Sequence, residues 1–320
     1  MSDDSPTLSQ YYPAIWNLGI DAGGNVYSIG QLEPTSSATS AYWYIQKSSD
    51  NGLRWSTVDL FQYATGQWND ATGFAADAAG NVYVVGWGRA AGTKKSPVGN
   101  LHWLVRRSAS GDSGTWSTVD DLEGPTANGA AFVSGAGVFV VGERFPGSTT
   151  PWLVRRSLTG NPGTWSTVDN PFAGGAEAAC GDGQGSVYVT GAQSRTIQVS
   201  RKTTYTYNVW TTRKSSDGGS TWSTVDTYTY APNQTAVGLG LSTDASGNVI
   251  AVGYAYDAQG IRHWIVRMLG STGWQTIDDF QLATGYTASA IAATTDAVGH
   301  LLVTGCADDA AGAHRIVRKL

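Results

Sequence analysis

Short runs that alternate apolar and polar residues, each closed by a glycine or by an Asp–Gly–Asn cluster, recur from one end of the chain to the other. They fall into four kinds, always in the same order. The first kind is rich in small residues: Gly73–Ala76, Gly129–Phe132, Ala176–Ala179, Gly238–Leu241 and Ala288–Ile291. The second is strongly β-forming. It reads like Gly-Asn-Val-Tyr, occurs at Val26, Val82, Val138, Val187, Val249 and Val303, and ends on Gly30, Gly86, Gly142, Gly191, Gly253 and Gly305. The third is Trp-Leu-Val-Arg-Arg-Ser at Trp103 and Trp152, with variants at Trp43, Trp210, Trp264 and Arg315. The fourth is Trp-Ser-Thr-Val-Asp at Trp55, Trp116, Trp165 and Trp222, with Trp-Gln-Thr-Ile-Asp at Trp274. Turns such as Asp77–Asn81 and Asp244–Asn248 separate the first and second kinds. Their Asp side chain supplies an acceptor and their Gly a positive φ, as a hairpin turn requires.

From Val26 to Leu301 the second strand advances 275 residues in five steps, a mean of 55. Four antiparallel strands in that length make one propeller blade. The predicted fold is therefore all-β, a six-bladed β-propeller of four-stranded antiparallel blades in a single domain over residues 1–320. The blades fall near 17–59, 72–121, 129–170, 176–227, 236–279 and 288–320, the last completed by residues 5–10. Small residues suit a first strand that lines a crowded channel. The sixth unit ends on its third strand, so closure by the N-terminal segment is expected, Pro6 being tolerable on an edge. The alternatives are a three-stranded last blade or a ring that closes by oligomerising.

Composition narrows the function. Hydrophobic residues make up 41% of the chain and charged residues 14%, against about 25% charged in ordinary soluble proteins. The net charge is −5. There is no long basic run; the nearest approach, Arg201-Lys202 with Lys94-Lys95, is two short loop pairs, which argues against a nucleic-acid partner. Cys180 and Cys306 lie at non-equivalent repeat positions and are read as free, buried thiols. No apolar run reaches the roughly 20 residues of a membrane span. The N-terminus lacks the basic and apolar regions of a signal peptide. A trimmed secreted or periplasmic protein would look the same, so the compartment stays open. A monomer is expected.

The loop between the third and fourth strands reads Ser-x-Asp-x-Gly-x-x-Trp twice, at Ser48, Asp50, Gly52 and Trp55 and at Ser215, Asp217, Gly219 and Trp222. Degenerate copies run from Ser108 to Trp116 and from Ser157 to Trp165. This resembles the Asp-box, or BNR repeat, of sialidase-like β-propellers. In that family the loop is a folding staple on the face opposite the active site, so a structural role is implied for these residues. The resemblance would also imply an arginine cluster, a Tyr–Glu nucleophile pair and an Asp acid/base. No Arg-Ile-Pro type motif stands near the N-terminus, where Tyr11–Trp16 has no arginine. Arg106, Arg107, Arg155, Arg156, Arg213, Arg267 and Arg318 belong to the repeated third strand. They are expected to pair across strands with Asp59, Asp120, Asp169, Asp226 and Asp278 of the fourth, as pairs of modest value.

Non-repeated residues after the second and fourth strands are the candidates for ligand binding. They are Trp68, Asn69, Asp70, Trp87, Arg89, Arg144, Tyr228 and Tyr256, with Glu143, Arg195, Tyr230, Asp257, Tyr286, Asp308 and Asp309 nearby. Aromatics among carboxylates and amides suit a shallow glycan site. His102, His263 and His314 recur at equivalent blade positions and do not converge, so no metal site is expected. Asp308-Asp309 alone cannot cage Ca²⁺. There is no P-loop and no nucleophile elbow, and no cofactor or catalytic residue is assigned. Three functions stay open: a non-catalytic scaffold or binding module for a glycan or protein, a sialidase-type glycoside hydrolase, and a multivalent lectin.

Overall fold

Each of the four sequence patterns becomes one strand. The structure is a computed structural model that describes residues 2–3, 11–35, 40–96, 98–144, 151–244, 246–296 and 298–320. The first sheet holds β1 (Ser2–Asp3), β2 (Tyr11–Ile20), β3 (Val26–Pro34), β4 (Tyr42–Ser48) and β5 (Arg54–Phe61). The second holds β6 (Asn69–Ala76), β7 (Val82–Arg89), β8 (Leu101–Ser108) and β9 (Ser117–Glu123). The third holds β10 (Pro125–Val133), β11 (Gly137–Arg144), β12 (Trp152–Ser157) and β13 (Ser166–Asp169). The fourth holds β14 (Gly174–Gly181), β15 (Val187–Ser200), β16 (Thr203–Ser215) and β17 (Ser223–Tyr228). The fifth holds β18 (Ala236–Thr243), β19 (Val249–Tyr256), β20 (Arg262–Gly270) and β21 (Gly273–Phe280). The sixth holds β22 (Ala288–Thr295), β23 (Leu301–Asp309) and β24 (Gly312–Lys319).

The six sheets are the blades of a β-propeller, and no helix occurs among the described residues. The last blade has three strands among those residues, and Ser2–Asp3 lies parallel on β5 of the first. Residues 5–10, expected to complete the last blade, lie outside the described residues. The chain divides into two compact units, Met1–Phe145 with Val154–Thr167, and Pro146–Leu153 with Val168–Leu320. Cys180 and Cys306 are free and half-buried, not fully buried as expected.

The glycine that ends each second strand has a steric cause. A Cβ on Gly86 would sit 2.0 Å from the Asp70 carbonyl oxygen, and one on Gly253 2.0 Å from that of Val237. The opposing first strand bulges at this point in every blade, for instance between Ala71 and Gly73 and between Gly238 and Gly240. The turn chemistry is equally regular. Asp77 Oδ1 accepts from the N–H groups of Ala79 (3.0 Å) and Asn81 (2.9 Å), and Gly80 takes φ 87°.

Five of the repeated arginines pair with the repeated fourth-strand aspartates as expected, each with that of the preceding blade, while Arg107 and Arg156 do not pair with an aspartate. Arg106 of β8 grips Asp59 of β5, in the preceding blade, at 2.6 and 2.9 Å. Arg155 holds Asp120, Arg213 holds Asp169, Arg267 holds Asp226 and Arg318 holds Asp278 in the same way. Each pair thus ties a third strand to the fourth strand of the blade before it. Arg213 and Asp169 are each 8% exposed, so the pair is nearly buried rather than a surface pair of small value. An aromatic ring completes four of the locks. Arg106 lies 4.0 Å over the Phe61 ring and Arg267 4.5 Å over Tyr228. Phe61 in turn stands edge-on to Trp43 at 6.3 Å, and Tyr228 to Trp210 at 6.1 Å. Trp43, Trp103, Trp152, Trp210 and Trp264 are all fully buried. Arg107 and Arg156 take other partners, Arg107 the side chains of Asn81 and Asn161 and Arg156 the Ala136 carbonyl.

Candidate functional site

The first strands are made of small residues because they lie side by side. A Cβ on Gly73 would meet the Gly129 Cα at 2.8 Å. Each first strand also carries one extra residue, inserted where its register shifts: Trp16, Thr72 and Asn128 in the first unit, Glu177, Leu239 and Ile291 in the second. Bulges re-aim side chains and gather at functional sites. Trp16 is 56% exposed, on a strand that also exposes Tyr12, Leu18 and Ile20.

Trp16 Nε1 donates to Asp70 Oδ1 at 2.7 Å. Asn17 Nδ2 donates to the Thr72 carbonyl at 3.3 Å, and Thr72 Oγ1 donates to the Ala127 carbonyl at 2.8 Å. These bonds run along β2, β6 and β10 in sequence. Asp70 is paired directly across the strands with Trp87, so the two side chains share a face. Asp70 has no ion-pair partner among the described residues. Burial pushes its carboxyl up to about 7, against the opposing pull of the Trp16 and Ala71 donors. Glu143, on the equivalent row of the next blade opposite Thr126, is also raised by burial. Trp16 and Asp70 therefore offer an indole face and a carboxyl that holds its proton more tightly than usual, beside the Thr72 hydroxyl and the Asn17 amide.

The other candidates are placed as follows. Asn69 is fully buried. Its Oδ1 accepts from the Tyr63 N–H at 2.8 Å, and its Nδ2 donates to the carbonyls of Ala41 and Gln67. Trp68 is half-buried, and its carbonyl accepts from the Arg89 N–H at 2.9 Å. Arg89 Nη1 donates to the Gly99 carbonyl at 3.1 Å. The Arg144 side chain lies outside the described residues. Tyr228 belongs to the Arg267 lock, and Tyr256 stands edge-on to Tyr254 at 5.8 Å. The structure thus sets Asp70 beside Trp87, with Glu143 on the next blade of the same unit, and leaves Tyr228 and Tyr256 in the second unit. The sequence analysis missed Trp16, because no local pattern marked it among the other large residues of Tyr11–Ile20.

The loops before the fourth strands are pinned locally. Ser48 Oγ donates to Asp50 Oδ1 (2.9 Å) and accepts from the Gly52 N–H (2.8 Å). Asp50 Oδ1 also accepts from the Arg54 N–H at 2.8 Å, and Trp55 Nε1 donates to the Gly52 carbonyl at 3.0 Å. Ser215, Asp217, Gly219 and Trp222 repeat the arrangement. Donors from Thr221, Ser215 and Ser220 lower the Asp217 carboxyl to about 2.

Each histidine has its own carboxylate: His102 with Asp121 at 2.7 Å, His263 with Asp279 at 2.7 Å, His300 with Asp296 at 2.8 Å and His314 with Asp309 at 3.0 Å. No group of three or more metal-ligating side chains occurs among the described residues. No described helix is long and apolar enough to cross a membrane.

No family model matches the chain, and no curated protein matches it. Solved structures do. One is a Trypanosoma rangeli sialidase in complex with the inhibitor DANA, at TM-score 0.57 and 11% identity, covering 97% of this chain and 55% of that one. Another is an α-L-arabinofuranosidase from Fusarium graminearum with an iminosugar inhibitor, at TM-score 0.54 and 11% identity, covering 98% and 95%. A third is a Hadza microbial sialidase, at TM-score 0.54 and 12% identity, covering 91% and 63%. The chain spans about half the length of the T. rangeli sialidase. At these identities the likeness is one of fold.

Proposed function

We propose that this protein is a non-catalytic, glycan-binding β-propeller whose ligand stacks on Trp16 and hydrogen-bonds Asp70. The observation that carries this reading is the pairing of an exposed indole with a carboxyl raised to about 7. A flat aromatic face packs against the C–H face of a sugar ring. A protonated carboxyl both donates and accepts, which matches sugar hydroxyls. Trp87 and Glu143 extend the same chemistry. The Ser48–Trp55 and Ser215–Trp222 loops act as folding staples of the Asp-box kind.

Two further observations separate the alternatives. Five repeated arginines are committed to aspartates between blades, so they are not free to clamp a substrate carboxylate. The bulge position carries a tryptophan in one blade only, which favours one site over a lectin site in every blade. The structural neighbours' names concern a sialidase with the inhibitor DANA and an arabinofuranosidase with an iminosugar inhibitor, which makes saccharides the first ligands to screen. Hydrolysis is the second reading, because Asp70 and Glu143 are both raised carboxyls of the type a general acid requires. Calorimetric titration with a panel of neutral oligosaccharides tests the first reading. One site lost in Trp16→Ala supports it, and turnover of an aryl glycoside that disappears in Asp70→Asn replaces it with the second.

A further inference from the structure

The fourth blade carries a feature that the glycan reading does not use. Strands β15 and β16 run 14 and 13 residues, against 8 each for β7 and β8. They stay paired beyond the blade as a hairpin arm, up to Ser200 opposite Thr203. At the base of this arm lies a groove of about 280 Å³. Arg195 and Tyr207, which are direct cross-strand partners, form one wall. Thr227, Tyr228 and Thr229 form the second, and the turn bearing Asn233 forms the third.

Arg195 differs from the arginines of the blade locks. Its guanidinium has no ion-pair partner among the described residues and meets only Gln193 Oε1, at 3.3 Å. It is exposed at the groove rather than buried between blades. The same groove is lined by Tyr207, Thr227 and Thr229, which carry hydroxyls, and by Asn233, which carries an amide. The Asn233 backbone takes φ 60°, a left-handed conformation that asparagine tolerates better than most residues. The Gln234 N–H bonds the Ala231 carbonyl at 3.2 Å and fixes that turn. An exposed cation in a groove also lined by hydroxyl- and amide-bearing side chains, close to the small end of ligand sites, has the chemistry of an anionic monosaccharide pocket. A guanidinium binds a planar or tetrahedral oxyanion, and the hydroxyl and amide groups answer a polyol.

The geometry points to this groove as a second ligand site, for a sugar residue bearing a carboxylate or sulfate. The anion sits on Arg195, and the ring hydroxyls meet Thr227, Thr229 and Asn233. The site is independent of Trp16 and Asp70, so either reading can fail without the other.

Ligand-observed NMR and calorimetry with glucuronate, glucose 6-sulfate and glucose test it on the full chain. Glucuronate or glucose 6-sulfate is expected to bind at one site, and which one binds tighter identifies the anionic group. Arg195→Gln is expected to weaken binding at least tenfold. Asn233→Gly, which keeps the left-handed backbone and removes the amide, is expected to weaken it about threefold, near the worth of one hydrogen bond. Trp16→Ala is expected to leave it unchanged. Three results would overturn the proposal: equal affinity in Arg195→Gln with an unchanged circular dichroism spectrum, displacement by acetate as effective as by glucuronate, or tighter binding of an acidic pentapeptide than of either sugar.

Discussion

Replacing Asp169 by alanine isolates the lock between the third and fourth blades. Arg213 then loses the Nε–Oδ2 bond of 2.6 Å and the Nη2–Oδ1 bond of 2.9 Å, and keeps Thr224 Oγ1 at 3.0 Å and the Trp222 carbonyl at 3.3 Å. Its guanidinium is left without a counter-charge at a position 8% exposed. Removing one partner of such a pair costs about 3–5 kcal/mol. The two retained bonds put the expectation at the lower end, about 3 kcal/mol. The Asp278–Arg318 lock is the internal control. Arg318's side chain is 29% exposed, so Asp278→Ala should cost about 1 kcal/mol. Changing both residues of the buried pair, to Asp169→Leu with Arg213→Met, should restore most of the loss, because no charge is then stranded. Urea unfolding followed by tryptophan fluorescence and circular dichroism measures each value from the shift in midpoint at constant slope. Equal losses at Asp169 and Asp278, or a loss at Asp169 below about 1 kcal/mol, would refute the lock as drawn.

Other substitutions test other parts of the account. Gly253→Ala places a Cβ 2.0 Å from the Val237 carbonyl and should destabilise by about 1–3 kcal/mol or more through overpacking, read as a lower thermal midpoint. Asp217 has its folded pKa lowered to about 2. Its stabilisation is therefore complete above the unfolded value near 4 and is lost as pH falls towards 2; an Asp217→Asn variant should lose stability less steeply over that window than the wild type does. Asp70 behaves oppositely. Its folded pKa is raised to about 7, so its proton favours the folded state at low pH and stability declines as pH rises from about 4 to 7. After discounting for partial exposure the decline is on the order of 2 kcal/mol, and Asp70→Asn should flatten it in pH-dependent urea titrations.

The blades were legible because repetition fixes strand order and strand type without any tertiary information. The first strands were read correctly as close-packed because small residues recur at Gly73, Gly129 and Gly238. The partner choice of the arginines was not legible. The spacing from Arg106 to Asp120 within one blade and from Asp59 to Arg106 across two blades repeats equally well, and only packing decides between them. Asn69 read as a surface amide because sequence does not reveal that a polar side chain is buried to close a turn. Trp16 was hidden for a different reason. A bulge is a register event between two strands, and no local pattern marks which residue it turns outward.

The most direct test of the glycan site is a titration of the best-binding neutral oligosaccharide into the wild type, Trp16→Ala and Asp70→Asn at pH 6 and pH 8. One site per chain, affinity that falls at pH 8 in the wild type, no pH response in Asp70→Asn and loss of binding in Trp16→Ala are expected. Full affinity in Trp16→Ala, or cleavage of the sugar during the titration, would contradict the account.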